Sequence, residues 1–429
     1  MMKKIGHAVI GAGFGDEGKG LITDYLCREY TTKHSSPINV RCNGGAQAGH
    51  TVIDDGKRHV FGHVGAGTFA GASTFLSSKF IVNPFALHRE MDIIGKLTGL
   101  RPCIEVHPDC EVTTVFDMAL NGLRELARGD NRHGSCGVGI NETITRAQAG
   151  HSFTIKDLDC QVQEKLRKIF KEWWFPQFEE LDKQFKTPSL KTDEYDFAKI
   201  FDLANYFTGD DTIFNNETNV LATSYNLFYQ VTQRPTLNHC ATHYVFEGAQ
   251  GLQLDEFLGQ FPHVTRSITG LASSLLAAYE LGVTEITPVY VTRCYKTRHG
   301  AGLLKHEGRS ITDKVLADNT NVTGQWQGEF RYAPLDIDEL ASFIMADLNR
   351  ARSLAEILRI NINPSELAIT CLDQMGEMVK IMWGDSSFNL TPDELVKILN
   401  SKVLQTIYTS YGPSASDVIE LTKNRHAYI

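Results

Sequence analysis

The chain has 429 residues, 42% hydrophobic and 22% charged, which is an ordinary globular composition with enough apolar residues for a large core. Its net charge of −9 excludes a general nucleic-acid binder, which needs a basic surface, but leaves room for a local basic pocket. Nine cysteines, from Cys27 to Cys371, fall at irregular spacing with no CxxC pair, so free thiols are expected rather than a zinc site or a disulfide framework.

His7–Ile10 is expected to form a short buried strand, followed by a glycine-rich turn and a helix around Leu21–Glu29. Gly15-Asp16-Glu17 interrupts this apolar opening too early for a signal peptide. No run of about 18 apolar residues occurs, so no membrane span is expected and the protein should be cytoplasmic. Residues 151–240 look like a mainly helical insertion. In it Val162, Leu166, Ile169, Phe170 and Trp173 recur at helical spacing, the mark of an amphipathic helix packed on its own core, and Pro176 should stop that helix. His243–Phe246 is expected to be a strand, Leu271–Leu281 a helix closed by Gly282, and Val289–Thr292 a strand with Pro288 at its start. Asp336 with Glu339, and Thr391 with Glu394, read as capping boxes. Glu366–Leu372 reads as a buried strand ending in Asp373. This alternation predicts an α/β fold: a large, mainly parallel central sheet flanked by helices, with helical insertions. No linker divides the chain, so 1–429 is expected to be one domain.

Four polar clusters carry the chemistry. In Gly13-Phe14-Gly15-Asp16-Glu17-Gly18-Lys19-Gly20, Gly13 and Gly18-Lys19 match the first part of a phosphate loop, but the closing Ser or Thr is replaced by Gly20. A metal there needs another hard oxygen ligand, and Asp16 can supply it. The glycines let backbone N–H groups approach an anion, and the next helix adds its positive end. In Arg41–Thr51 three glycines and two amides precede His50; a lone histidine is more often structural, but this context favours a general acid. Glu247-Gly248-Ala249-Gln250-Gly251 ends a strand on a glutamine that can hold an oxyanion, and Pro262–Ser267 follows it. Thr297–Gly302 and Val322–Arg331 place arginines beside glycines, which suits carboxylate or phosphate recognition.

In this order the clusters resemble the adenylosuccinate synthetase family nearly end to end. The family's W-G-D-E-G-K-G corresponds to Phe14–Gly20, its G-G-x-N-A-G-H-T to Gly44–Thr51, and its F-E-G-A-Q-G stands unchanged from Phe246 to Gly251. Its Y-P-x-V-T-S-S becomes Phe261–Ser267, its T-R-x-G-A-G Thr297–Gly302, its T-K-L-D Thr370–Asp373 and its S-T-G-P Ser410–Pro413. The resemblance implies a Mg²⁺-dependent homodimer in which GTP phosphorylates O6 of IMP and the amine of L-aspartate displaces that phosphate. It implies that Asp16 takes the N1 proton and ligates Mg²⁺ together with the carbonyl of Gly49, that His50 acts on the transferring phosphoryl group, and that Gln250 holds the 6-oxygen. Gly15, Glu17, Gly18, Lys19 and Gly20 would hold the triphosphate, with Asp373, Ser410 and Gly412 at its base. Gln47, Ser135, Thr265 and Arg146 would hold IMP, the last from the neighbouring subunit, and Thr323 and Arg331 would hold aspartate.

The chain departs from the pattern on the acceptor and aspartate side. The family's G-T-T-G-R-G-I-G-P becomes Gly134–Asn141, keeping the hydroxyl of Ser135 but losing the arginine. The arginine-rich T-T-G-R-x-R-R becomes Val322–Arg331, with Arg331 the one arginine left, and Gln47 replaces an asparagine. A phage-encoded branch of the family shares the W-Q-G-x-x-R stretch and takes dGMP in place of IMP, with ATP, dATP or GTP as donor. Many of its members replace the loop aspartate by serine. Asp16 is kept here, which favours IMP. An inactive nucleotide-binding relative is disfavoured because Asp16, Lys19, His50 and Gln250 are all present. A regular P-loop kinase would carry Ser or Thr at position 20.

Overall fold

The computed structural model describes residues 3–33, 37–128, 137–158, 162–185, 241–311 and 330–421. Ten strands form the main sheet: β1 (Ile5–Gly11), β2 (Ile38–Arg41), β3 (Ser73–Leu76), β4 (Ile104–Val106), β5 (His243–Gly251), β6 (Glu285–Arg293), β7 (Asn361–Ile362), β8 (Glu366–Thr370), β9 (Gln405–Ser410) and β10 (Val418–Glu420). They run β10-β9-β8-β6-β1-β5-β2-β3-β4, with β7 beside the start of β6. Every pairing is parallel except that of β9 with β10. β1 lies mid-sheet, so Ala8, Val9 and Ile10 have no polar alternation and are almost wholly buried, as a strand covered on both faces requires.

The helices are α1 (Lys19–Lys33), α2 (Pro84–Thr98), α3 (Val115–Arg128), α4 (Ile140–Gln148), α5 (Val162–Lys168), α6 (Phe175–Phe185), α7 (Leu271–Leu281), α8 (Ile337–Leu358) and α9 (Pro392–Lys402). α7 ends where the sequence places its end, at Gly282, whose φ of 66° closes the helix in the left-handed region. Thr391 and Glu394 form the full reciprocal box on α9. At α8 only half of the expected box forms. Asp336 accepts from the Glu339 N–H, while the Glu339 carboxylate turns away to bind Lys296.

Two prolines behave differently from expectation. Pro176 does not stop the helix: α5, a π-helical stretch Ile169–Trp174 and α6 run on without a break. The N–H of Phe175 reaches back to Phe170 O, so the hydrogen-bond register has already widened where the proline lacks a donor. Of the expected stripe, Val162, Leu166, Ile169 and Phe170 are buried in one cluster with Phe116 of α3, while Trp173 is only partly buried and its neighbour Trp174 takes the buried place. Residues 159–161 and 186–240 of the predicted insertion lie outside the described residues. Pro288 lies inside β6, not at its start. Asn363 N bonds Ile286 O, which puts the nitrogen of Pro288 on the side where β7 has ended and β8 has not begun, so no ladder donor is needed there. The strand ending in Asp373 is shorter than expected, stopping at Thr370 before a 3₁₀ turn. Six described cysteines are free. No helix among the described residues is long and apolar enough to cross a membrane.

Candidate active site

In an open parallel sheet the carboxyl ends of the strands border the crevice where ligands bind. Three of the four polar clusters reach that edge, beside the ends of three further strands: β1 ends before the phosphate loop, β2 before Cys42–His50, β5 on Gln250-Gly251, β6 on Arg293, β8 near Asp373, and β9 on Ser410. Of the fourth, Thr297–His299 lie on a strand paired outside the main sheet and 322–329 lie outside the described residues. Gly251 makes the join. A Cβ there would meet Gly13 O at 2.4 Å and Gly15 N at 2.8 Å, so only glycine lets β5 pass against the phosphate loop. Asp16 and Gln250 sit at φ 59° and 60°, a region costly for residues with side chains. Two such residues, with Gln250 lying against Gly15 beside Asp16, mark a strained, functional backbone.

The phosphate loop is folded around its own carboxylate. Glu17 Oε1 accepts from Gly13 N (3.0 Å) and Gly15 N (2.7 Å), and Glu17 Oε2 pairs with Lys19 Nζ at 3.0 Å, both side chains being buried. Glu17 therefore faces into the loop and sets its shape, rather than facing a ligand. Thr370 Oγ1 donates to Glu17 O, tying the loop to β8. α1 begins at Lys19, so its positive end lies behind the loop.

His50 is buried at the end of β2's loop. Its Nδ1 bonds Glu247 Oε1, and Arg41 Nη1 sits 3.1 Å from the same oxygen. Ala66 N donates to Glu247 Oε2. Burial, aided by Arg41 and Lys19, outweighs the pull of Glu247 and lowers the imidazole to about 4. Burial alone would raise Glu247, but Arg41 and His50 hold it down at about 2. At neutral pH the cluster therefore holds an ionised Glu247, a cationic Arg41 and a neutral His50 whose Nδ1–H points at Glu247, leaving Nε2 bare. Sequence reasoning assigned no role to Glu247 or Arg41. The signal was there, in an arginine ending one strand beside a glutamate near the end of its neighbour.

Asp16 is half-buried. Its carbonyl accepts from Arg293 Nε at 2.6 Å and its carboxylate lies 3.6 Å from His299 Nε2. Neither Arg293 nor His299 was singled out from the sequence. Several buried polar atoms at this edge have no partner, among them Gln47 Oε1, Gln250 Oε1, His299 Nδ1, Arg298 Nε and Arg331 Nε. Buried polar groups are normally satisfied, so orphans gathered at one edge mark where ligand atoms belong. Asp373 is exposed, and partial burial and then Asp417 push its carboxyl upward. Ser410 Oγ donates to Gly412 O at 2.6 Å, bracing the turn beside it. Thr265 lies on a loop pinned by Asp255, which accepts from Phe257 N, Leu258 N and Thr269 N and pairs with Arg350.

Besides Glu17, two expectations need correction. Arg146 does not reach outward. It is fully buried, its guanidinium bound to Asp117, Val112 O and His151 O, so its donors are spent inside its own chain. Arg331 is committed to the 300–307 segment through Gly300 O, Gly302 O and Glu307, and its Nε is buried without a partner. Ser135 and Thr323 lie outside the described residues. No cluster of three or more His, Cys, Asp or Glu forms a metal cage among the described residues. Asp16 and the exposed backbone of Gly49 offer hard oxygens instead, which suits a cation completed by phosphate oxygens and water.

The family model for adenylosuccinate synthetase matches residues 8–333. The adenylosuccinate synthetase of Synechocystis sp. is 30% identical over 327 residues, covering 75% of this chain and 67% of that protein. That of Clostridium novyi is 29% identical over 318 residues, covering 71% and 67%. Among solved structures, the fully ligated adenylosuccinate synthetase from Plasmodium falciparum superimposes with a TM-score of 0.68 at 18% identity, over 98% of this chain and 100% of that one. The succinoaminodeoxyadenylate synthetase of cyanophage S-2L, bound to dGMP and dATP, gives 0.55 at 15% identity over 98% and 96%. With the model matching most of its length and the loop, the histidine and the glutamine brought to one sheet edge, the chain belongs to the adenylosuccinate synthetase family of purine biosynthesis, ligases that form a C–N bond.

Proposed function

We propose that this chain ligates L-aspartate to IMP at the expense of GTP, through 6-phosphoryl-IMP. The observation that carries the reading is the convergence of Asp16, His50 and Gln250 on the mouth of the phosphate loop. Asp16 takes the N1 proton of the base, which moves charge onto O6. That oxygen attacks the γ-phosphorus, and the bond to the β-phosphate oxygen breaks, releasing GDP. The aspartate amine then attacks C6, the C6–O bond breaks, phosphate leaves, and the amine gives up its proton. Positioning and charge stabilisation do most of this work. Gln250 holds O6 through its side-chain N–H, and its left-handed backbone at the mouth of the loop supports that role. Lys19 and the N–H groups of Gly18 and Gly20 hold the phosphates, those of Gly13 and Gly15 being taken by Glu17. His50, held by Glu247, presents Nε2 to the transferring group. The approaching triphosphate favours imidazolium and so equips it as an acid.

Asp16 and the Gly49 carbonyl would hold Mg²⁺, which supplies charge neutralisation on the phosphates when bound. Asp373, Ser410 and Gly412 would read the donor base, since a carboxylate accepts from guanine N1–H and N2–H. Gln47, Ser135 and Thr265 would bind the acceptor, and Thr323 the aspartate. We take 1–429 as one domain because β1 pairs with both β5 and β6, strands that follow the insertion. A cytoplasmic homodimer rests on the family resemblance.

A second reading, dGMP as acceptor with ATP, dATP or GTP as donor, is favoured by the Gln325-Trp326-Gln327-Gly328 stretch leading to Arg331. Protein mixed with GTP, Mg²⁺ and aspartate plus either IMP or dGMP, followed by ultraviolet absorbance, separates the readings. Turnover with IMP is expected. Turnover with dGMP alone overturns the choice of acceptor, and no change with either nucleotide sinks the ligase reading in favour of a binding module.

A further inference from the structure

A nucleoside monophosphate brings a doubly charged phosphate, and a half-buried site needs a cation to receive it. Neither arginine suggested by the family pattern is available here. Val138 stands where the family's acceptor-phosphate segment has its arginine, and Arg146 is spent on Asp117. One guanidinium has been gained nearby. Arg266 stands where the family motif has serine, directly after Thr265.

Its surroundings are unusual for an arginine. Nη1 donates to Thr145 Oγ1 at 2.6 Å and to Asn141 Oδ1 at 3.3 Å, and Nη2 donates to Gln148 Oε1. All three acceptors are neutral, so among the described residues its charge is oriented but not balanced. These tethers lay the guanidinium along α4. The first residue of α4, Ile140, touches the glycine turn of the acceptor loop: a Cβ on Gly45 would meet Ile140 Cδ1 at 2.6 Å and Gln47 Oε1 at 3.2 Å. Gln47 Oε1 itself is buried and unpartnered. Arg266, Thr265, Gln47 and the first turn of α4 therefore border one region, and Arg266 brings it the missing charge.

We propose that Arg266 is the cationic partner of the acceptor nucleotide's phosphate in this chain, compensating for the arginine lost at position 138. The proposal rests on the reading above only in requiring a nucleoside monophosphate as acceptor; IMP and dGMP carry the same phosphate. Arg266 makes the enzyme select nucleotide over nucleoside, and it acts on binding rather than on phosphoryl transfer.

The test is steady-state kinetics of the full chain and of Arg266→Ala, Arg266→Lys and Arg266→Gln, with IMP and with inosine as acceptors. For Arg266→Ala, loss of a charge-assisted phosphate contact should raise KM for IMP about 20-fold or more, with kcat at saturating IMP and KM for GTP each within about 3-fold. The preference for IMP over inosine in kcat/KM should fall by the same factor, and Arg266→Lys should recover part of it. An unchanged KM for IMP overturns the proposal. So does an equal loss with IMP and inosine, which marks a structural role. If Arg266→Ala is unstable, Arg266→Gln, which keeps the tethers to α4 in part, replaces it in the comparison. A parent enzyme that uses dGMP but not IMP corrects the acceptor base, and the same comparison with dGMP against deoxyguanosine then decides on Arg266.

Discussion

Replacing Glu247 by glutamine keeps the shape of the side chain and removes its charge. In the structure that charge holds Arg41 at 3.1 Å and fixes the proton of His50 on Nδ1. The fall of Glu247 from 4.5 to about 2 corresponds to about 3 kcal/mol of preference for the ionised form. A cost of about 3–5 kcal/mol for leaving a buried charge unpaired agrees with it. Because the folded-state pKa is depressed, this stability is present above the unfolded value and is lost as pH falls through about 2, so it is fully in force at pH 7. Glu247→Gln should lower the melting temperature at pH 7 by a few degrees, since a chain of this length has an unfolding entropy of about 0.9 kcal/mol per kelvin. It should also lower kcat by about 100-fold or more, the usual worth of a positioned acid–base group. The assay is the absorbance change with GTP, Mg²⁺, aspartate and IMP, run well below the melting point, beside His50→Asn. A Glu247→Gln enzyme within about 3-fold of the parent kcat, while His50→Asn is inactive, would refute the positioning role.

Three further outcomes follow from particular contacts. Gly251→Ala should raise KM for GTP steeply or leave the chain insoluble, because the new methyl meets backbone of the phosphate loop and nothing flexible; a normal KM for GTP would contradict the close approach. Arg146→Met should lower the melting temperature, with Arg146→Met/Asp117→Asn recovering part of the loss; the coupling is checked by a thermal double-mutant cycle, where a buried pair is worth about 3–5 kcal/mol to break. Glu366 is pushed up to about 7 by burial and by Glu420, against a hydrogen bond with Tyr408, so its favourable contribution is present below the unfolded value and lost as pH rises through about 7. Glu366→Gln should therefore be more stable than the parent at pH 8, by about 1–2 kcal/mol after discounting for partial solvent exposure, and the gap should close toward pH 5 in denaturant titrations.

What could be read from the sequence was whatever depends on near neighbours. The β1–loop–α1 opening and the α7 terminus at Gly282 follow from local periodicity and turn chemistry, and the chain folds as those signals direct. Pro176 was misjudged because a proline's effect depends on the hydrogen-bond register before it, and the π-turn that absorbs it is set by packing of Phe170 and Trp174. Charged residues were harder still. Arg146, Arg331 and Glu17 all carry the right chemistry for ligands, but the partner that occupies each is fixed only by the fold: Asp117 for Arg146, two loop carbonyls for Arg331, and the loop's own amides for Glu17. Glu247 was missed for the converse reason, since the residues it serves lie about 200 positions away, with |i−j| of 197 to His50 and 206 to Arg41.

The central position of β1 also has a consequence for synthesis. Its two neighbours in the sheet are β5 and β6, and β5 begins at His243, 232 residues after Gly11. At about 5–20 residues per second, roughly 12–46 s pass on the ribosome before the first of those strands is made. Throughout that interval Ala8, Val9 and Ile10 have no sheet partner, so the nascent chain presents an unpaired apolar edge that invites a chaperone or a second chain.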